Sequence, residues 1–410
     1  MRPATLWFDQ ATKDGATVST VTLEDLAGAE PRLSFSYAAL DTPGLPAPAV
    51  LDSVAAAALL HVQSLGQDLA VRGPMTRLGL FNLGELAAAR RGTSPDRYPR
   101  VAALRPDSIV DEVAPPLEPD AASLSFSGGL DSTFTAARLG RGLGAPGAPR
   151  LGQLVIVQGF DSRLDCPDGL ASMVARVEPL ARDAGVPLSV VRTDAWSVGG
   201  ALWPHTATPL MGAALSMFAH RYGVGIIGGG IPYGAGKVGL GHPAILDQFC
   251  GGAAFRMTTD GAGWSRAQKL RFLLDYPETL KHLRVCLRGF SADGDPGRNC
   301  GECGKCLDLW MTFRMIGVAD PPCFDAPVNP ALIETLVVPS VYEARDLGCA
   351  HDDAVEIGVR ESWFELLSRR LAYVPPSPNL VREAGLRLRA AMPGSVRGAI
   401  RRLLPVHLRP

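Results

Sequence analysis

Four short apolar runs, at residues 123–126, 153–158, 188–192 and 223–227, recur through the middle of the chain, with stretches long enough for a helix between them. Strands alternating with helical segments at this spacing predict βαβ units and a parallel sheet. The intervening pattern agrees. Residues 168–184 predict a helix stopped at Gly185, and residues 209–222 predict another stopped at Gly223. Right-handed crossovers would gather the loops after the strands at one edge of the sheet, where open α/β sheets bind ligands.

Outside this region the pattern is less regular. Residues 17–23 and 32–37 are short apolar runs, and an Ala-rich stretch at 49–65 predicts a helix. The segment 114–120 is rich in proline and acid and reads as a linker. The expected division is therefore an N-terminal α+β domain of unassigned role (1–119), the sheet domain (120–285), a cysteine-bearing segment and its helix (286–318), and a helical C-terminal extension (319–410). Ser265-Arg266-Ala267-Gln268 has the Ser-x-x-Gln form of a capping box, opening a helix toward Leu274, and residues 307–316 predict one more.

Composition narrows the classes. With 410 residues and 47% apolar content, the chain can bury a large core. Forty Lys and Arg against 41 Asp and Glu give a net charge of −1, which argues against a polyanionic partner such as nucleic acid. No run of about 18 apolar residues suggests a membrane span, and the start lacks the apolar stretch of a signal peptide, so a cytoplasmic location is expected. The end is basic: Arg382, Arg387, Arg389, Arg397, Arg401, Arg402 and Arg409 stand against Glu383. Such a tail could meet an acidic partner or a membrane surface, although Pro393 and Pro405 break its periodicity and favour a solvated extension. Assembly into a homodimer is left open.

The richest chemistry follows the first core strand. In Ser127-Gly128-Gly129-Leu130-Asp131-Ser132 the small residues let the chain bend tightly before a helix, turning backbone N–H groups outward to form an anion site. The Ser127 and Ser132 hydroxyls add donors. Asp131, an acceptor, either orients the loop or holds Mg²⁺. This Ser-Gly-Gly-x-Asp-Ser motif between strand and helix resembles the PP-loop of the ATP pyrophosphatases, the adenine nucleotide α-hydrolase group. The resemblance implies a Rossmann-like, doubly wound parallel sheet. It also implies ATP cleavage between the α- and β-phosphates, with Ser127, Gly128, Gly129, Asp131 and Ser132 around the pyrophosphate end. Asp161, after the second strand, falls where relatives hold the adenosine and would accept from a ribose hydroxyl; capping its loop is the alternative. In the Gly-rich segment 228–241, the letters of a dinucleotide fingerprint at 234–239 are followed by Gly241-His242-Pro243 instead of a helix. Lys237 there could close on phosphates or remain a solvated surface lysine.

The eight cysteines are unevenly placed. Asn299-Cys300-Gly301-Glu302-Cys303-Gly304-Lys305-Cys306 joins two Cys-x-x-Cys steps, with glycines that permit a tight knuckle around thiolates. Cys286, with 13 residues between it and Cys300, is the nearest candidate for a fourth ligand. A closed Cys₄ zinc site of structural type is the expectation. An iron–sulfur cluster is the rival, but a bacterial ferredoxin run has a further cysteine before proline where Leu307-Asp308-Leu309 stands here. Free or redox cysteines are the third option. A PP-loop followed by this cysteine spacing is similar to the zinc-containing branch typified by 7-cyano-7-deazaguanine synthase, over residues 121–318. That resemblance implies activation of a carboxylate and attack by ammonia, giving an amide and then a nitrile.

Three residues have weaker claims. Cys166 could carry a persulfide, making the chain a sulfur transferase, or merely neighbour a helix cap. His205 and His242, in proline-flanked loops, could be acid/base groups or structural. The expected activity is adenylation of a carboxylate, amide or carbonyl oxygen of a small-molecule acceptor or modified base. ATP, Mg²⁺ and Zn²⁺ are the expected cofactors, with Asp131, Ser132 and Lys237 in catalytic roles. Sulfur transfer and a non-catalytic nucleotide-binding partner protein are the alternatives.

Overall fold

In the computed structural model, which describes residues 2–160, 162–235, 243–286, 295, 297–336 and 341–372, the chain opens on an antiparallel meander. Its strands are β1 (Ala4–Lys13), β2 (Ala16–Glu24) and β3 (Leu33–Ala39). Asp14 and Gly15 join the first two with φ of 48° and 77°, the positive values that a two-residue hairpin turn requires. Then come α1 (Asp52–Ser64), β4 (Leu69–Thr76), α2 (Arg77–Thr93) and β5 (Leu104–Val110), with β4 parallel beside β1 and β5 parallel beside β4.

The middle of the chain alternates as expected: β6 (Glu118–Ser125), α3 (Leu130–Gly140), β7 (Arg150–Gln158), α4 (Pro167–Ala184), β8 (Leu188–Thr193), α5 (Trp196–Gly199), α6 (Trp203–Ser216) and β9 (Tyr222–Gly228). A fifth parallel strand, β10 (Arg256–Asp260), gave no apolar run in the sequence, because RMTTD is short and mostly polar. The remaining helices are α7 (Arg266–Leu273), α8 (Pro277–Lys281), α9 (Gly304–Met315), α10 (Val341–Ile357) and α11 (Ser362–Ala372).

The ten strands form one sheet in the order β10-β9-β6-β7-β8-β3-β2-β1-β4-β5. From β6 the chain winds outward to β7 and β8, then returns to the other side of β6 for β9 and β10. That reversal leaves a crevice at the carboxyl ends of β6 and β9, where open α/β sheets take ligands. Period-two alternation fills both faces. Leu154 and Ile156 of β7 face a core with Met173 and Val177 of α4, while Val155 and Val157 join a core with Leu59 of α1 and Leu210 of α6.

The first 119 residues, expected as a separate domain, continue this sheet. β3 pairs antiparallel with β8, Tyr37 opposite Thr193, and Thr193 Oγ1 donates to the Ser36 carbonyl at 2.6 Å. Phe35 and Leu59 share one apolar core with Val157 and Leu210. The composition at 114–120 imitates a linker because β6 begins with exposed residues; Glu118 is tied there to Arg150 and Arg221.

Helix ends follow local chemistry. Gly185 closes α4 in the left-handed conformation at φ 68°, and Ser265 with Gln268 forms the expected capping box on α7. α6 starts six residues before the expected 209. Proline is tolerated in a first turn, where Pro204 lies, and Pro209 sits inside the helix, where its missing N–H leaves the His205 carbonyl to accept from Arg90 Nη2 at 3.2 Å. At the other end, α10 and α11 pack on α9 through Trp310, Ala354 and Trp363. Among the described residues no helix is long and apolar enough to cross a membrane. The basic stretch beyond residue 372 lies outside the described residues.

Candidate functional site

β6 delivers its chain into a tight turn. The Phe126 N–H still bonds the Val155 carbonyl at 2.8 Å, and Gly128 then reverses direction with φ +73°. An added Cβ at Gly128 would lie 2.4 Å from Cγ1 of Val177, so both backbone and space require glycine. Gly128→Ala is expected to destabilise the fold by about 1–3 kcal/mol, read as a lower denaturant midpoint at unchanged slope. α3 follows with Gly129 at its N-cap and no side chain capping it. The first-turn N–H groups of such a helix lack intrahelical acceptors and carry the positive end of its dipole. Ser127 Oγ lies 3.4 Å from Ser132 Oγ, and Ser132 also donates to the Gly129 carbonyl at 3.3 Å, which holds the loop closed.

This helix start borders a cavity of about 190 Å³. Ser127, Gly129, Leu130 and Asp131 form one wall, Arg266 of α7 and Arg284 stand at the sides, and Lys305, Asp308, Leu309 and Thr312 come from α9. Arg284 is 4% exposed; its backbone N–H bonds the Gly128 carbonyl at 2.8 Å and its Nη1 the Ser127 carbonyl at 3.3 Å. The far side of the loop abuts the end of β9. A Cβ on Gly228 would fall 2.8 Å from the Ser132 nitrogen, so glycine is needed for that approach.

Asp131 does not point freely into the cavity. Lys269 Nζ, on a side chain almost wholly buried, donates to Asp131 Oδ1 at 2.6 Å and also to the Gly229 carbonyl at the end of β9. Arg266 Nη2 stands 3.7 Å from Asp131 Oδ2, while Nη1 of the same guanidinium pairs with Asp308. Burial is the largest single influence on Asp131 and opposes its charge. The neighbouring Lys269, Arg266 and Lys305 together outweigh it and hold the carboxyl below the usual carboxylate range.

The cysteine knuckle is built against the same cavity, with Cys286 on its lining. The sulfurs of Cys286, Cys300, Cys303 and Cys306 all lie within 4.8 Å of one another, Cys300 to Cys306 at 3.9 Å and Cys303 to Cys286 at 4.0 Å. Tetrahedral Zn–S bonds of about 2.3 Å place ligand sulfurs about 3.8 Å apart, so the cluster has the size of a single-ion site. None of the four forms a disulfide. The N–H groups of Glu302 and Cys303 bond Cys300 Sγ at 3.4 and 3.3 Å, the knuckle that Gly301 allows at φ 73°. Hydrogen bonding to Cys286 and Cys303, with burial, pushes the Cys306 thiol up when no cation is near. A bound ion would reverse that, since metal ligation deprotonates a thiol.

Of the expected site residues, Ser127, Gly129 and Asp131 line the cavity; Gly128 and Ser132 support the loop behind it. Asp161, Lys237 and His242 lie outside the described residues. Cys166 is the N-cap residue of α4 and is not among the cavity's lining. His205, expected in a loop, is in α6 and 2% exposed, with Nδ1 3.1 Å from the Tyr98 hydroxyl and its carbonyl bonded by Arg90, and belongs to the buried packing. Cys250 and Cys323 are buried, and burial pushes the Cys323 thiol up to about 12. Sequence reasoning passed over Arg266, Lys269, Arg284, Lys305 and Asp308. The signals were slight: two flank the capping box partner Gln268, and one lies between two cysteines.

No protein-family model matches the chain, and no curated protein or solved structure matches it.

Proposed function

We propose that this chain is an ATP-dependent enzyme of the AMP- and pyrophosphate-forming type, built on a Rossmann-like sheet of the adenine nucleotide α-hydrolase kind. The observation that carries the reading is the uncapped start of α3, preceded by Ser-Gly-Gly-x-Asp-Ser, opening on a cavity walled by Arg266, Arg284 and Lys305. Backbone donors and cations converging on one concavity suit a polyphosphate. In the reaction, an oxygen of the acceptor attacks the α-phosphorus and the bond to the β-phosphate oxygen breaks. Pyrophosphate leaves with the electron pair, toward the helix start and the cations. A nitrogen nucleophile then displaces AMP from the adenylated carbonyl. Mg²⁺, when bound with the nucleotide, neutralises charge on the departing phosphates.

The four cysteines fit zinc, and a closed Cys₄ shell leaves no position for a reacting water, so we assign the ion a structural task. Lys305 lies within the knuckle, Asp308 follows its last cysteine by two residues, and Arg284 precedes Cys286 by two, which makes the centre a staple for the cavity's walls. Nitrogen transfer is preferred over sulfur transfer because Cys166 does not line the cavity.

The test is product analysis with ATP and a panel of carboxylic acids carrying ¹⁸O in the carboxyl group. AMP and pyrophosphate are expected, with ¹⁸O recovered in AMP. ADP and phosphate as the sole nucleotide products would overturn the reading.

A further inference from the structure

We propose that Asp308 binds the divalent cation that accompanies the nucleotide, in place of Asp131. The inference rests on the nucleotide-site reading above. Asp308 sits in the first half of α9, 6% exposed, on the wall of the same cavity as the start of α3. Its Oδ2 is taken by Arg266. Its Oδ1 is buried and, among the described residues, has no hydrogen-bond partner. A buried carboxylate oxygen left without a partner is costly, and such a vacancy in a native fold calls for an explanation such as a water or an ion.

Asp131 offers no comparable opening. Lys269 bonds one of its oxygens and Arg266 stands over the other. A metal ion there would have to displace or face two cations. At Asp308 one oxygen remains.

Charge decides what fills it. A carboxylate on the wall of a polyphosphate site repels the ligand unless a cation lies between them, and Arg266 screens only one of the two oxygens. Mg²⁺ is a hard ion that prefers oxygen, keeps several waters, and is commonly held by one or two carboxylates together with substrate phosphates. A buried carboxylate oxygen left without a partner, on a residue of the cavity wall, meets that requirement. Arg266, paired to Asp308 and close to Asp131, then links the metal's carboxylate to the loop, so that metal and nucleotide would be expected to bind cooperatively.

Mn²⁺ serves as the probe, with free Mn²⁺ followed by electron paramagnetic resonance and ATP binding by calorimetry on the full chain. The readout is the ratio of ATP affinity with Mn²⁺ to that without metal. Wild type is expected to gain at least about tenfold from the metal, and Asp308→Asn to lose that gain while its metal-free ATP binding holds or tightens, because the repelling charge is gone. Asp308→Glu, which keeps the charge, should recover part of the gain and covers the case in which the amide misfolds beside Arg266. An unchanged metal gain in Asp308→Asn overturns the assignment. Equal loss of ATP binding with and without metal also overturns it, because Asp308 would then be part of the pocket's build or would meet a donor on the acceptor. Wild type binding ATP without any metal gain sinks this inference alone, whereas wild type binding no ATP at all sinks the nucleotide reading beneath it.

Discussion

Lys269→Met is expected to lower the stability of the chain by about 3–5 kcal/mol, toward the lower end because Arg266 remains near the carboxylate it abandons. Lys269 is fully buried and its ammonium ties the loop's Asp131 to the Gly229 carbonyl just past β9. Methionine fills a similar volume and leaves Asp131 short of its closest counter-charge. Urea unfolding monitored by circular dichroism provides the measurement, and a double-mutant cycle with Asp131→Asn apportions it. The double variant should lose less than the sum of the singles, since removing both charges avoids the stranded one. The effect carries a pH signature. Because Asp131 is held below the usual carboxylate range, its contribution is complete above the unfolded value of about 3.9 and is lost as pH falls through the lowered folded value. Wild type should therefore lose stability on acidification in a region where Lys269→Met loses less. A cost below about 1 kcal/mol with unaltered acid dependence would mean that the pair does not hold the loop.

That pair also shows where sequence reasoning stops. The loop at 127–132 was legible because its chemistry is local: within six neighbouring residues the glycines supply the bend, the serines the donors and Asp131 the acceptor. The knuckle was legible for the same reason, with even Cys286 separated from Cys300 by only 13 residues. The alternating strands, the Gly185 stop and the Ser265 capping box are likewise matters of period and of neighbours three or four residues apart. Lys269 reads as an ordinary helical lysine until α7 is packed behind the loop, 138 residues from its partner. Arg284 is equally mute, since its bonds reach Ser127 and Gly128 from 156 or more residues away. The continuation of the sheet into the N-terminal strands was hidden for a related reason. Composition at 114–120 reports only that those residues are polar and rich in proline, while the joining of β3 to β8 depends on a pairing across more than 150 residues.

On the proposed reading, chelation that empties the Cys₄ cluster is expected to weaken ATP binding by more than about tenfold without unfolding the sheet. Two walls of the cavity depend on the centre. Cys286 ends the segment in which Arg284 grips the loop, and Cys306 lies in α9, whose Lys305 and Asp308 face the loop across the cavity. Without an ion, the four cysteines are neutral thiols, with Cys306 pushed up, joined only by weak S–H···S contacts at 3.9 and 4.0 Å. The tie between the two walls is then weak enough for them to move apart. The strand cores stand apart, since the clusters around Leu154 and Val157 contain none of the four cysteines. Hydrogen exchange after chelation should accordingly rise at residues 284–286 and 304–312 and stay low in β6 and β7. Readdition of zinc should restore both protection and ATP affinity, and cobalt substitution should give the visible absorption of tetrahedral thiolate ligation. Cys303→Ser, which removes one ligand of the knuckle, should reproduce the chelated state. If metal-free protein binds ATP as tightly as before, the knuckle does not position these walls, and Arg284 is held by its own bonds to the loop together with Asn299, whose amide donates to the Leu283 carbonyl at 2.9 Å and accepts from the Val285 N–H at 2.9 Å.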